Sequence, residues 1–182
     1  MNPKQIQAIK RIQEEYKDLH RRPMPNLGIT VGLVNANNLF EWKCTIIGPS
    51  DTSYRGGLFK VRIIFPEDYP ETKPEVVFKT PIYHLNVKFF IEGNQPLGHI
   101  CVNTLNDWQK DCRINRVLPE LFALLHQNNP DSPYDYQNNA RRNEFINNRK
   151  LFEEKARYFT KKYANPNSKD VDYTTSWDFS YQ

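Results

Sequence analysis

Phe40-Glu41-Trp42-Lys43-Cys44-Thr45-Ile46 places an apolar residue at every second position. Side chains of a strand alternate between two faces, so this period puts Phe40, Trp42, Cys44 and Ile46 on a buried face and Glu41, Lys43 and Thr45 on a wet one. Phe59, Val61, Ile63 and Phe65 repeat the pattern around Lys60 and Arg62. Segments at 35–38, 48–57 and 66–74, rich in Asn, Gly and Pro, separate these runs as turns. The expectation is a four-stranded antiparallel meander over about 29–35, 38–47, 57–65 and 75–79.

Helical periods flank the meander. Ile6, Ile9, Ile12, Tyr16 and Leu19 recur at three- and four-residue steps, predicting an amphipathic helix over 3–20 that Pro3 opens and Pro23 and Pro25 end. In 114–126, Val117, Leu118, Leu121, Phe122, Leu124 and Leu125 leave almost no polar face, so that helix should be central and buried, with Pro119 near its start. A last helix over about 147–163 carries Phe152, Ala156, Phe159 and Tyr163 on one stripe. Between meander and central helix, 80–112 shows no sustained period and carries Pro81, Gly93, Pro96 and Gly98. A loop this long inside a compact domain is usually functional or disordered.

The predicted fold class is α+β: an N-terminal helix, a four-stranded antiparallel meander, a long loop, a buried central helix and C-terminal helices. One domain is expected over 1–164 and a tail over 165–182, where Asn165-Pro166-Asn167-Ser168 reads as a linker and Trp177, Phe179 and Tyr181 alternate.

Composition narrows the function classes. With 182 residues and 38% apolar content the chain can bury one sizeable core. No run approaches the ~18 apolar residues of a membrane span, and the first residues lack the apolar stretch of a signal peptide, so a cytosolic or nuclear protein is expected. The net charge of +4 comes with no Lys/Arg cluster longer than a pair, and no nucleic-acid partner is expected. Three cysteines without a Cys-x-x-Cys pair suggest reduced thiols and no zinc. Cys44 is in phase with Phe40, Trp42 and Ile46 and reads as core; Cys112 reads as a surface or semi-buried thiol. Cys101 differs, lying behind Gly98 and beside Asn103, with His84 and Asn86 upstream.

Taken in order, Tyr83-His84-x-Asn86, Gly98-x-x-Cys101, Trp108, a buried helix and Asn129-Pro130-Asp131-Ser132-Pro133 resemble the ubiquitin-conjugating (E2) family, whose fold is the UBC fold. The resemblance spans about residues 5–163 and includes Ile9-Lys10-Arg11-Ile12-Gln13, Ile47-Gly48-Pro49, Tyr54-x-Gly56-Gly57-x-Phe59 and Phe65-Pro66-x-x-Tyr69-Pro70. It implies an enzyme in which Cys101 accepts a ubiquitin C-terminus as a thioester from an E1 activating enzyme and passes it to a lysine amine, normally with an E3 ligase. Thiolate is a good leaving group, so the acyl carbon stays electrophilic without further energy input. By the same resemblance Asn86 donates to the oxyanion or orders the loop, His84 braces that loop, and Asp131 and Ser132 stand at the lysine's gate. Lys10 and Arg11 match the E1-binding helix positions. Glu71 and Thr72, with Gln109, Lys110 and Asp111, match the two loops that receive a ligase. No metal or cofactor is implied, ATP being consumed by the E1, and a monomer is expected.

The chain departs from that family in several places. Leu85 stands where a proline is usual, which removes a φ restraint from the turn. Asn86 precedes Cys101 by fifteen positions, an interval lengthened at 88–97. Glu71 replaces a common exposed aromatic and Gln109-Lys110-Asp111 a common Ser-Pro-Ala, which implies an E3 of unusual type. Cys112, Pro119 and Ala123 alter the helix that holds a donor ubiquitin, and Val31 replaces a serine used in backside binding. Competing expectations are conjugation of a ubiquitin-like modifier such as NEDD8, suggested by Cys101-Val102-Asn103-x-Leu105 and Asn147-Asn148-Arg149-Lys150-Leu151-Phe152, and a non-catalytic E2-like adaptor.

Overall fold

A computed structural model describes residues 2–92, 95–100, 102–131 and 139–166. Cys101, Ser132 and the aromatic tail lie outside the described residues. Strands β1 (Ile29–Asn35), β2 (Asn38–Ile47), β3 (Leu58–Ile64) and β4 (Glu75–Phe78) pair antiparallel in succession, each end within one residue of the expected bounds. Trp42 faces Ile63 and Cys44 faces Val61, all four buried, while Lys43 meets Arg62 on the outer face. Each fully buried Val, Ile or Phe side chain contributes about 2 kcal/mol. The two-residue period is thus the signature of a one-sided core.

Helix α1 (Pro3–Arg21) packs on β2. Pro3 sits where no N–H is needed, and Asn2 caps the helix by accepting from the Gln5 N–H at 2.8 Å. Its buried face is Ala8, Ile12, Glu15 and Leu19, not the full isoleucine stripe: Ile6 is 44% exposed. A carboxylate replaces an isoleucine because Glu15 finds three donors, described below. A single turn, α2 (Asn103–Asn106), precedes α3 (Ile114–His126), which is the buried centre expected, with Ile114, Val117, Leu118, Leu121, Leu124 and Leu125 inside. Helix α4 (Asn139–Asn147) was not legible in the sequence. Helix α5 (Arg149–Tyr163) buries the predicted stripe of Phe152, Ala156, Phe159 and Tyr163.

The main correction lies in the segment expected to be a long loop. It contains β5 (Val87–Glu92) and β6 (Gln95–Ile100), which pair with each other, and β6 docks on β4. The meander grows into a six-stranded sheet of order β1-β2-β3-β4-β6-β5. Gly98 permits this docking: a Cβ there would approach the Phe89 ring to 2.4 Å and Phe78 Cβ to 3.0 Å. Pro96 and Gly98 masked the strand period, and Phe90 filled a polar slot by stacking on His99, ring centres 4.7 Å apart. Gly93-Asn94 between two apolar-rich runs was the available hairpin signal. Strand β6 ends at Ile100, one position before Cys101 in sequence.

Candidate active site

The turn at 83–86 is buried throughout, so each of its polar groups needs a partner inside the protein. His84 Nε2 lies 2.7 Å from the Leu124 carbonyl, and its Nδ1 accepts from the Asn86 N–H at 2.9 Å. Those partners fix the neutral ring with its hydrogen on Nε2. Burial pushes the His84 pKa down to about 4; the bond to Leu124 opposes this and the Arg141 charge adds to it. A neutral ring with both nitrogens engaged braces the turn.

Asn86 is 1% exposed. Its Nδ2 donates to the Asn129 carbonyl and its Oδ1 accepts from the Asn129 N–H, both at 2.8 Å, which fixes the amide orientation. A carboxamide has two N–H donors, and among the described residues only one is used. The Leu85 N–H, which a proline would lack, donates to Asn128 Oδ1 at 2.9 Å. The lost φ restraint at 85 is therefore met by a hydrogen bond, and the turn is not left loose.

Sequence reasoning missed the groups that hold this turn from behind. Arg141 of α4 donates to the His84 carbonyl at 3.0 Å and the Val87 carbonyl at 3.4 Å, with its guanidinium 4.5 Å above the Tyr83 ring. Tyr83 donates to Glu144 at 2.8 Å, and Glu144 pairs with Lys155. Tyr54, buried, donates to the Tyr83 carbonyl at 2.8 Å. Polar residues on a helix with little amphipathic pattern gave no signal of this role.

A groove of about 640 Å³ opens beside the turn and takes in Asn86, Val102, Asn103, Asp107 and Asp131. Asp131 is exposed at its edge, in a turn closed by its own N–H donating to Asn129 Oδ1 at 2.9 Å. The groove thus joins Asn86, Asp131 and the residue that follows Cys101 in sequence. Of the other two cysteines, Cys44 is core as expected, and burial pushes its thiol up to about 12. Cys112 is buried, where a surface or semi-buried thiol was expected.

The loops expected to meet partners share a root. Glu15, 3% exposed, accepts from Arg11 Nε and the Tyr69 hydroxyl, both at 2.6 Å, and from the Ile114 N–H at 2.8 Å. Arg11 also donates to the Cys112 carbonyl at 2.7 Å, so its guanidinium is engaged within the chain, whereas Lys10 is exposed. Trp108 Nε1 donates to the Pro70 carbonyl at 2.9 Å and Lys73 Nζ to the Leu105 carbonyl at 3.0 Å, tying the two loops together. Glu71, Thr72, Gln109, Lys110 and Asp111 are all exposed at their tips. Among the described residues no group of His, Cys, Asp or Glu could hold a metal ion, and no helix is long and apolar enough to cross a membrane.

An N-terminal helix, an antiparallel sheet and C-terminal helices around this turn define the UBC fold. The family model described as ubiquitin-conjugating enzyme matches residues 11–160, and the chain belongs to that family, the E2 enzymes. It is 41% identical over 132 residues to "Probable ubiquitin-conjugating enzyme E2 31" of Arabidopsis thaliana, covering 72% of this chain and 79% of the relative. It is 36% identical over 157 residues to "Ubiquitin-conjugating enzyme E2 14" of Schizosaccharomyces pombe, covering 85% of this chain and 93% of the relative.

Proposed function

We propose that the chain accepts ubiquitin from an E1 as a thioester on Cys101 and transfers it to a lysine amine, with an E3 at the 71–72 and 109–111 tips. The observation that carries this reading is the groove joining Asn86, Val102 and Asp131. In the first step the Cys101 thiolate attacks the acyl carbon of the E1 thioester, and the E1 thiolate leaves. In the second, the lysine amine attacks the Cys101 thioester, the tetrahedral oxyanion collapses, and the Cys101 thiolate leaves. The amine proton departs at the polar edge marked by Asp131, which Ser132 follows in sequence, and its loss gives the neutral, nucleophilic amine. Asn86 acts first by holding the 129–131 loop against the turn, and its second amide hydrogen, unused among the described residues, is the one offered to the oxyanion.

Ubiquitin is the modifier favoured, since both relatives are named for its conjugation. Of the two helix cations expected to meet an E1, Lys10 is exposed, whereas Arg11 is committed to Glu15 and Cys112. Reduced thiols fit a cytosolic or nuclear setting. Incubation with E1, ATP and modifier tests the reading, ubiquitin and NEDD8 being offered each with its own E1. The expected outcome is a reducible ubiquitin adduct that Cys101→Ala abolishes. An adduct only with NEDD8 would move the enzyme to that pathway, and no adduct with any modifier would make it an adaptor.

A further inference from the structure

The turn at 83–86 and the segment at 128–129 hold each other reciprocally. Asn128 offers a side-chain oxygen to the Leu85 backbone at 2.9 Å, while Asn86 offers both ends of its amide to the Asn129 backbone at 2.8 Å. Two adjacent residues on each side thus exchange side chain for backbone. Asn128 is itself oriented by its Nδ2, 3.5 Å from the Tyr54 hydroxyl, and that hydroxyl donates to the Tyr83 carbonyl. Its amide therefore brackets the turn at 83 and at 85.

We propose that Asn128 is a positioning residue for acyl transfer, its side-chain oxygen fixing the Leu85 peptide so that Asn86 is presented to the thioester groove. The role exists because residue 85 carries an N–H. Leu85 is 3% exposed, and its donor would otherwise be buried without an acceptor. An unanchored peptide at 85 can rotate, and Asn86 is the next residue along; small misplacements beside a reacting centre cost much in rate. Asn128 needs no contact with either acyl group, since it acts through the turn. This inference rests on the transfer reading above and assigns one more residue to it.

Two measurements on Asn128→Ala separate this role from general stability. Exchange of the Leu85 amide hydrogen, followed by NMR, should quicken, and discharge of preloaded ubiquitin to free lysine should slow about tenfold, the effect of roughly one hydrogen bond. Loading by E1 should stay within about twofold, because it needs Cys101 more than the ordered turn. Asn128→Asp keeps the acceptor oxygen but gives up the Nδ2 donor toward Tyr54, so it should retain most, not all, of the exchange protection and discharge. Leu85→Pro removes the N–H and supplies its own φ restraint, so it should restore discharge in the Asn128→Ala background but not improve the parent. Unchanged Leu85 exchange in Asn128→Ala would overturn the proposal. So would equal losses in loading, discharge and melting temperature, or an Asp variant as impaired as the Ala variant. Absence of any adduct in the parent enzyme would instead overturn the transfer reading, and the exchange measurement would still report whether Asn128 holds the turn.

Discussion

The 83–86 turn and the paired loops at 69–73 and 108–112 are both anchored by buried polar groups, but in opposite ways. In the turn, the anchor and the proposed chemistry are the same residue: Asn86 spends its oxygen and one N–H on Asn129. In the paired loops one carboxylate, Glu15, holds the root, and the side chains proposed to face a ligase, those of Glu71, Thr72, Gln109, Lys110 and Asp111, are exposed outside that network, which reaches them only through the Asp111 carbonyl, 3.5 Å from Arg11. A site built the first way cannot change its polar residue without moving. A surface built the second way can change tip by tip at nearly constant stability.

Removing the root carboxylate should have the largest effect. Glu15→Ala takes the acceptor from Arg11 Nε, the Tyr69 hydroxyl and the Ile114 N–H, and should cost about 3 kcal/mol in urea unfolding, discounted because Arg11 is partly exposed and keeps its bond to the Cys112 carbonyl. A loss below about 1 kcal/mol would mean that the loops do not depend on that root. Asn86→Ala comes next, at about 2 kcal/mol for two broken bonds, together with slowed discharge. Were Asn86 only an oxyanion donor, discharge would fall while the unfolding curve stayed in place.

His84 supplies a pH signature confined to the turn. Its folded pKa is depressed to about 4 against an ordinary 6.5, so between those values the unfolded chain binds the extra proton. Its contribution is complete above pH 6.5 and is lost as pH falls toward 4, with a slope of up to about 1.4 kcal/mol per pH unit. His84→Gln should flatten that part of the stability profile, and an unchanged profile would place the titration elsewhere. The smallest effects on stability belong to the tips. Glu71→Lys and Lys110→Glu should shift unfolding by less than about 0.5 kcal/mol while changing the rate of ligase-stimulated discharge. A cost above 1 kcal/mol would erase the contrast between root and tip.

The same contrast governs what could be read from the sequence. Alternation around Trp42 and the stripe at Phe152 reported one-sided burial directly, and those elements stand where they were expected. Val87–Glu92 and Gln95–Ile100 escaped because Pro96, Gly98 and an outward Phe90 break the period that marks a strand. The visible half of the candidate site was its motif residues, His84, Asn86 and Asp131. Its hidden half was Asn128, Arg141 and Tyr54, whose roles depend on which distant backbone they meet. Burial of Glu15 in place of Ile6 was equally invisible, since a carboxylate is buried only when three-dimensional partners satisfy it.

Mapping the acylated residue tests the transfer proposal most directly. After loading with E1, ATP and ubiquitin, and without reductant, peptide mass spectrometry should find the modifier on Cys101 and not on the buried Cys44, whose thiol is held protonated, or on Cys112. A thioester that survives Cys101→Ala, or that maps to either of the other two cysteines, would contradict it.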